Sequence, residues 1–180
     1  MIRAAREGDL TICQEIERAA GAPFADLGMS AVAEDEPPGL DVLRAFQRSG
    51  RAWVHVDDDD VPAAYLLASM VDGAAHIEQV SVCPTHARRR LGRALVEHLA
   101  QWARRRHVEA LTLTTFTEVP WNGPYYQRCG FRYLTDAEVG PELRAIRADE
   151  AARGLDRWPR AAMRRDLRRS SAVTAPGWHP

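Results

Sequence analysis

The chain has 180 residues, 46% hydrophobic and 27% charged, the proportions of a folded domain rather than of a disordered or fibrous chain. Its 24 basic residues, all arginine, nearly balance 25 acidic ones, and a net charge of −1 offers no field for a nucleic-acid backbone or an anionic membrane. Cys13, Cys83 and Cys129 are too few and too scattered for a disulfide framework or a zinc site, no apolar run approaches the ~20 residues of a membrane span, and the first residues lack the apolar core of a secretion signal, so the expectation is a metal-free cytoplasmic protein.

In chain order, Ile2 to Ala5 reads as a short strand. A helix follows from Gly8-Asp9, capped by Asp9 or Thr11, with Leu10, Ile12, Cys13 and Ile16 as its apolar stripe, until Gly21-Ala22-Pro23 stops it. Phe24 to Gly39 is irregular, and its length marks it as functional or mobile. Asp41 to Arg48 is a second short helix, and Ala52 to Val56 a strand. Asp57 to Asp60 reads as a solvated hairpin turn, because consecutive aspartates cannot all aim at one ion. Val61 to Met70 returns as a strand and turns through Val71-Asp72-Gly73 into another, from His76 to Cys83, which Pro84 ends.

Pro84 to Arg90 is a polar, then basic link into a helix from Leu91 to Arg106. Leu91, Ala94, Leu95, Leu99, Trp102 and Ala103 form its apolar stripe, with Arg93, Glu97, Gln101, Arg104 and Arg105 opposite. Ala110 to Thr117 is a strand, a short helix carries Tyr126, Phe131 to Leu134 is a strand, and Pro141 to Arg153 is a helix stopped by Gly154. Arg160 to Leu167 alternates like a final, edge-like strand, and residues 170–180 read as a disordered tail beyond a single domain of residues 1–169. The class is α/β with a mixed sheet: antiparallel hairpins from Ala52 to Val82, then a parallel crossover through the Leu91 helix.

A strand feeding a helix through a basic link leaves backbone N–H groups free at the helix start, where a phosphate binds, and Arg88, Arg89, Arg90 and Arg93 add charge around it. A Walker loop needs a lysine that the chain lacks, and a dinucleotide fingerprint needs three glycines where only Gly92 stands. The strand end Val80-Ser81-Val82-Cys83-Pro84, the loop Ala87-Arg88-Arg89-Arg90-Leu91-Gly92 and the later Tyr126-Gln127-Arg128-Cys129-Gly130-Phe131 together resemble the GNAT superfamily of acetyl-CoA-dependent N-acetyltransferases. Arg90 replaces the first glycine of that family's loop and Ala87 its usual Gln or Arg; a side chain at residue 90 tolerates φ > 0 poorly, so the loop geometry is not settled by the sequence.

The resemblance implies a GNAT-like fold: a central, mostly antiparallel mixed sheet flanked by helices, whose strands at Val80 and Ala110 splay apart around acetyl-CoA. It implies transfer of the acetyl group to a primary amine of a small molecule or peptide by direct attack in a ternary complex, with a homodimer compatible. Binding of the cofactor falls to Val80, Ser81, Val82, Arg88, Arg89, Arg90, Leu91, Gly92, Arg93, Asn122 and Tyr126. The pyrophosphate goes to the amides of residues 88–93, and the thioester carbonyl to a main-chain N–H near Val80 or Val82.

Period 2 puts Glu78 and His76 on the face of Val80 and Val82, where either is a candidate base and Glu78 is equally a strand carboxylate paired with an arginine. Tyr126 stands where the family places a tyrosine able to protonate the leaving thiolate. Asn122 bonds the pantetheine arm or caps the Tyr126 helix. Phe24, Trp121, Tyr125 and Trp53 are candidates to line the acceptor site, and Glu34, Asp35 and Glu36 either draw a cation or are simply solvated. Two other readings stand beside this one: a GNAT-like module that binds acyl-CoA without turnover, and an arginine-rich nucleic-acid-binding domain.

Overall fold

A computed structural model of the chain describes residues 1–167; the tail expected from Ser170 lies outside the described residues. Seven strands make one mixed sheet: β1 (Ile2–Ala4), β2 (Ala52–Val56), β3 (Pro62–Val71), β4 (Ala74–Val82), β5 (Ala110–Phe116), β6 (Arg132–Tyr133) and β7 (Arg160–Asp166), in the spatial order β1-β2-β3-β4-β5-β7-β6. Every neighbouring pair is antiparallel except β4 and β5. The helices are α1 (Leu10–Gly21), α2 (Ser30–Ala33), α3 (Leu40–Arg48), α4 (Leu91–Arg105), α5 (Gly123–Arg128) and α6 (Pro141–Ala152). No helix among the described residues is long and apolar enough to cross a membrane.

Strand alternation divides the core into two layers. Ala64, Leu66 and Ala68 of β3 turn toward α4 and bury its Leu95, Val96, Leu99 and Ala103, while Tyr65 and Leu67 turn the other way, onto Leu10, Cys13 and Ile16 of α1 and Leu43 of α3. The β3–β4 connection is the tight Asp72-Gly73 pair, both at positive φ (48° and 75°), the two-residue turn this dipeptide favours. Asp72 also accepts the amides of Glu142 (3.1 Å) and Leu143 (2.9 Å), so the hairpin tip caps the start of α6.

Three expectations change. First, β7 is not an edge strand but lies between β5 and β6. Its arginines are ion-paired, Arg160 with Glu150, Arg165 with Glu97 of α4 and Arg164 with Asp166, while Ala162 and Met163 are buried on opposite faces. Second, Phe24 to Gly39 is not wholly irregular: residues Ala22–Leu27 form a 3-10 turn, α2 follows, and buried Met29 anchors the segment against Phe116 and Val119. Third, the aspartate turn is more than solvated. Asp57 accepts the amides of Asp59 and Val61, and Asp60 pairs with Arg3 (2.8 Å) and Arg6 (2.6 Å), tying the hairpin to β1.

Candidate active site at the splayed strands

β4 and β5 pair at only two positions, Ala75 with Leu111 and His76 with Thr112. Beyond them β4 stays zipped to β3 as far as Val82, and β5 to β7 as far as Phe116, so a wedge opens between β4 and β5 toward their C-terminal ends. A β-bulge starts the wedge: Leu67 faces Gln79 and Ala68 faces Ile77, leaving Glu78 as the extra residue. The Cys83 amide donates to the Ala63 carbonyl of β3 (2.8 Å). By antiparallel alternation the Ser81 and Gln79 amides point the same way, and those of Val80 and Val82 point into the wedge. Ser81 is therefore turned away from the wedge; its buried hydroxyl accepts from Gln79 (2.8 Å) on the other face.

The bulge reverses the expected face of Glu78. One extra residue flips the alternation, so Val80 and Val82 stay on the α4 side with Ala75 and Ile77, whereas Glu78 and His76 look away from α4. There Glu78 is exposed and accepts a hydrogen bond from Ser69 of β3, with no arginine paired to it among the described residues. His76 is 2% exposed and held by Thr112, with Nδ1 3.0 Å from its hydroxyl; burial lowers its pKa below that of a free imidazole, against the opposing pull of Glu78 and Glu150.

The basic loop lies at the mouth of the wedge. His86 and Ala87 donate back to Cys83 and Pro84, and Ala94 donates to the Arg90 carbonyl (3.0 Å), the first bond of α4. Between them the amides of residues 88–93 find no acceptor among the described residues, and none of Arg88, Arg89, Arg90 and Arg93 is ion-paired there. Arg88 and Arg90 both sit in the left-handed region, at φ 64° and 60°. Arg90 thus takes the backbone conformation a glycine would, at a cost of about 1–2 kcal/mol. Arg90→Gly removes that strain and adds about 0.5–1 kcal/mol of chain entropy. The expected net is a rise of roughly 2 °C in Tm, read by thermal unfolding. A fall would show that the arginine side chain contributes more than its backbone costs.

At Gly92 the protein itself leaves no room for a side chain. A Cβ there would lie 3.1 Å from the Tyr125 hydroxyl, 3.4 Å from Val82 Cγ2 and 3.9 Å from Val80 Cγ2. Gly92 lets α4 press onto the wall of the wedge. Tyr125 accordingly belongs to this wall and not with Phe24 and Trp121, whose rings meet edge-on at 5.4 Å on the α1 side of the molecule, with Phe24 also 5.9 Å from Phe116. Trp53 is buried under α4 against His98 and Trp102, far from any acceptor role.

Tyr126 packs on the α4-side core with its ring edge-on to Tyr125 and Phe131, and its hydroxyl makes no hydrogen bond among the described residues. Burial raises its pKa, so it is a neutral phenol with a proton to give. Asn122 does not cap α5 with its side chain: Oδ1 accepts from Thr115 (2.9 Å), and only its carbonyl receives the Tyr126 amide. Thr112, Thr115 and Phe116, which contact the candidate residues His76, Asn122 and Phe24, had no part in the sequence reading. Each is set by long-range pairing of β5, and no short-range pattern marks them.

A family profile described as the acetyltransferase (GNAT) family matches residues 13–131. Among solved structures, the ribosomal-protein-S18-alanine N-acetyltransferase from Escherichia coli is similar at TM-score 0.66 and 19% identity, covering 97% of this chain and 98% of that one. The PaiA N-acetyltransferase from Thermoplasma acidophilum, in complex with coenzyme A, is similar at TM-score 0.68 and 12% identity, over 92% and 98%. The N-acetylglutamate synthase from Neisseria gonorrhoeae, complexed with coenzyme A and N-acetyl-glutamate, is similar at TM-score 0.70 and 20% identity, over 94% of this chain but 35% of that one. These likenesses carry the fold, and with the profile spanning the wedge, the basic loop and the Tyr126 motif, the chain belongs to the GNAT acetyltransferase family.

Proposed function

We propose that this protein transfers an acetyl group from acetyl-CoA to a primary amine in a ternary complex, across the wedge between β4 and β5. The observation that carries this reading is the row of unsatisfied amides at residues 88–93, ringed by unpaired arginines, at the mouth of a wedge into which the Val80 amide points. The amides and Arg88, Arg89, Arg90 and Arg93 hold the pyrophosphate; Val80 and Val82 flank the pantetheine arm, with Asn122 at its far side.

Bound acetyl-CoA supplies a thioester whose carbonyl carbon forms the new C–N bond as its C–S bond breaks. The Val80 amide donates to the carbonyl oxygen as negative charge gathers there. Glu78, on the face opposite α4, takes a proton from the acceptor's ammonium, directly or through a water, and frees the lone pair of the neutral amine that attacks. Tyr126, on the α4 face, gives its proton to the sulfur. The bulge supports this division, because it puts acid and base on opposite faces of the sheet with the wedge between them. His76, buried and bonded to Thr112, orients β4 against β5 rather than meeting the amine. Phe24, whose ring meets those of Trp121 and Phe116 edge-on, offers an apolar wall for the acceptor on the face of Glu78, which suits a small amine.

A thermal-shift series tests the reading. Acetyl-CoA at 100 times its Kd stabilises the native state by about 2.7 kcal/mol, raising Tm by roughly 5–10 °C, while ATP and NAD leave it unchanged. Coenzyme-A release over a panel of amino acids, polyamines, aminoglycosides and peptide N-termini then identifies the acceptor. Absence of a shift at saturation overturns the assignment; a shift without turnover for any amine favours the binding module.

A further inference from the structure

α1 crosses β3 and β4 on the face of the sheet away from α4, and the turn that follows it sets Phe24 edge-on to Phe116 of β5. The end of α1 therefore spans the wedge on the side where Glu78 stands. Leu10, Cys13 and Ile16 turn the apolar stripe of this helix onto the sheet. Glu17 follows Cys13 by one turn, so it continues that stripe as a carboxylate facing the sheet. It is half-buried, and its Oε2 accepts the hydroxyl of Tyr65, which is 1% exposed on β3. Tyr65 in turn stands opposite Ser81 of the wedge strand β4.

Glu17 differs from the other sheltered carboxylates in lacking a counter-charge. Asp9 holds Arg3 (2.7 Å), and Glu150 holds Arg147 and Arg160. No arginine among the described residues pairs with Glu17, and its neighbour Arg18 turns to Glu36 (3.4 Å). One neutral phenol does not repay the removal of a carboxylate from water. Burial pushes the Glu17 carboxyl up, Asp35 adds to the rise, and neither the Tyr65 hydrogen bond nor Arg18 cancels it. The position thus favours a cation that the chain does not provide. Adjacent strands lie about 4.8 Å apart, so a carboxylate over β3 and an amine in the wedge beside β4 are roughly one to two strand spacings apart, the span of about three to six methylenes.

We infer that Glu17, oriented by Tyr65, binds the second ammonium of the acceptor, and that the acceptor is an aliphatic diamine whose other nitrogen receives the acetyl group. The inference rests on the transferase reading above and adds the substrate class and the residue that selects it.

The test is coenzyme-A release from acetyl-CoA with linear diamines of increasing length, each paired with the n-alkylamine that lacks its second nitrogen. In wild type the best acceptor is a diamine, preferred in kcat/KM over its n-alkylamine by about tenfold or more, chiefly through KM. Rising ionic strength narrows that ratio, a reading that needs no variant. Glu17→Gln keeps the size and an acceptor for Tyr65 but removes the charge. It brings the ratio to about one by raising KM for the diamine, with kcat, Tm and the Kd for acetyl-CoA held. A best acceptor without a second ammonium, a salt-independent ratio, or a wild-type ratio in Glu17→Gln would overturn the assignment and leave Glu17 a structural partner of Tyr65. No coenzyme-A release with any amine would overturn the transferase reading itself, and this one with it.

Discussion

Tyr126→Phe is expected to lower kcat by about 10²-fold or more while leaving Tm and the Kd for acetyl-CoA at their wild-type values. General-acid assistance is worth ~10²–10⁴-fold, and the substitution removes only the proton that would be given. The structure makes the variant clean. The Tyr126 ring packs edge-on to Tyr125 and Phe131, contacts that Phe keeps, and its hydroxyl has no partner to lose among the described residues. A fall in kcat with KM for acetyl-CoA unchanged puts the missing interaction in the transition state. Wild-type turnover, measured where chemistry limits the rate, would remove Tyr126 from the mechanism; so would an equal loss in affinity, which would make it a packing residue of the cofactor site. Tyr125→Phe is the control on the opposite expectation. Its hydroxyl lies against Gly92, so a change there acts on the seating of α4 and on affinity before it acts on kcat.

The largest stability effect is expected at Glu150. Its side chain, 8% exposed, accepts from Thr114 of β5, from Arg160 of β7 (2.9 Å) and from Arg147 one turn back in α6 (2.5 Å). Glu150→Leu leaves two arginines without their shared partner in a buried setting, at a cost of about 3–5 kcal/mol or roughly 6–20 °C in Tm. Glu97, whose pair with Arg165 is 38% exposed on the Glu side, gives the contrast: Glu97→Ala should cost about 1 kcal/mol or less. Equal losses at the two sites would refute the importance of burial.

The pH dependence follows from the direction of the shift. Burial alone raises the carboxyl pKa of Glu150, but the Thr114 hydrogen bond and the two guanidinium groups outweigh it and hold the folded-state value below the ordinary one. A depressed pKa contributes stability that is full above the unfolded value of ~4.3 and lost as pH falls through the folded value. Wild type should therefore lose Tm on acidification below about pH 4–5 more steeply than Glu150→Leu does, and the two curves should converge at low pH. Asp9, held down by Arg3 and the Arg6 amide, acts in both proteins and cancels in the difference.

Much of the molecule was legible in the sequence. Short apolar runs bounded by turn residues marked β2, β3 and β4, and Asp72-Gly73 the turn between β3 and β4; the stripe of threes and fours marked α4; and the basic link, with Tyr126 before Gly130-Phe131, pointed to the GNAT family that the fold and profile show. Those features are local, decided by propensity and by which face of one element is apolar. Tertiary pairing decided the rest. Glu78 changed faces because β3 holds β4 in a register with one residue to spare, and no run of residues 76–82 announces a bulge whose cause is its partner strand. Arg90 took a glycine's φ because the ends of the loop are fixed by β4 and by α4, leaving the backbone between them no other path. Tyr125 and Tyr126, adjacent in sequence, parted in role because α5 sets one hydroxyl against Gly92 and leaves the other unbonded. β7 is an interior strand because β6, from earlier in the chain, pairs along its second edge, while Glu97 of α4 and Glu150 of α6, remote in sequence, neutralise Arg165 and Arg160.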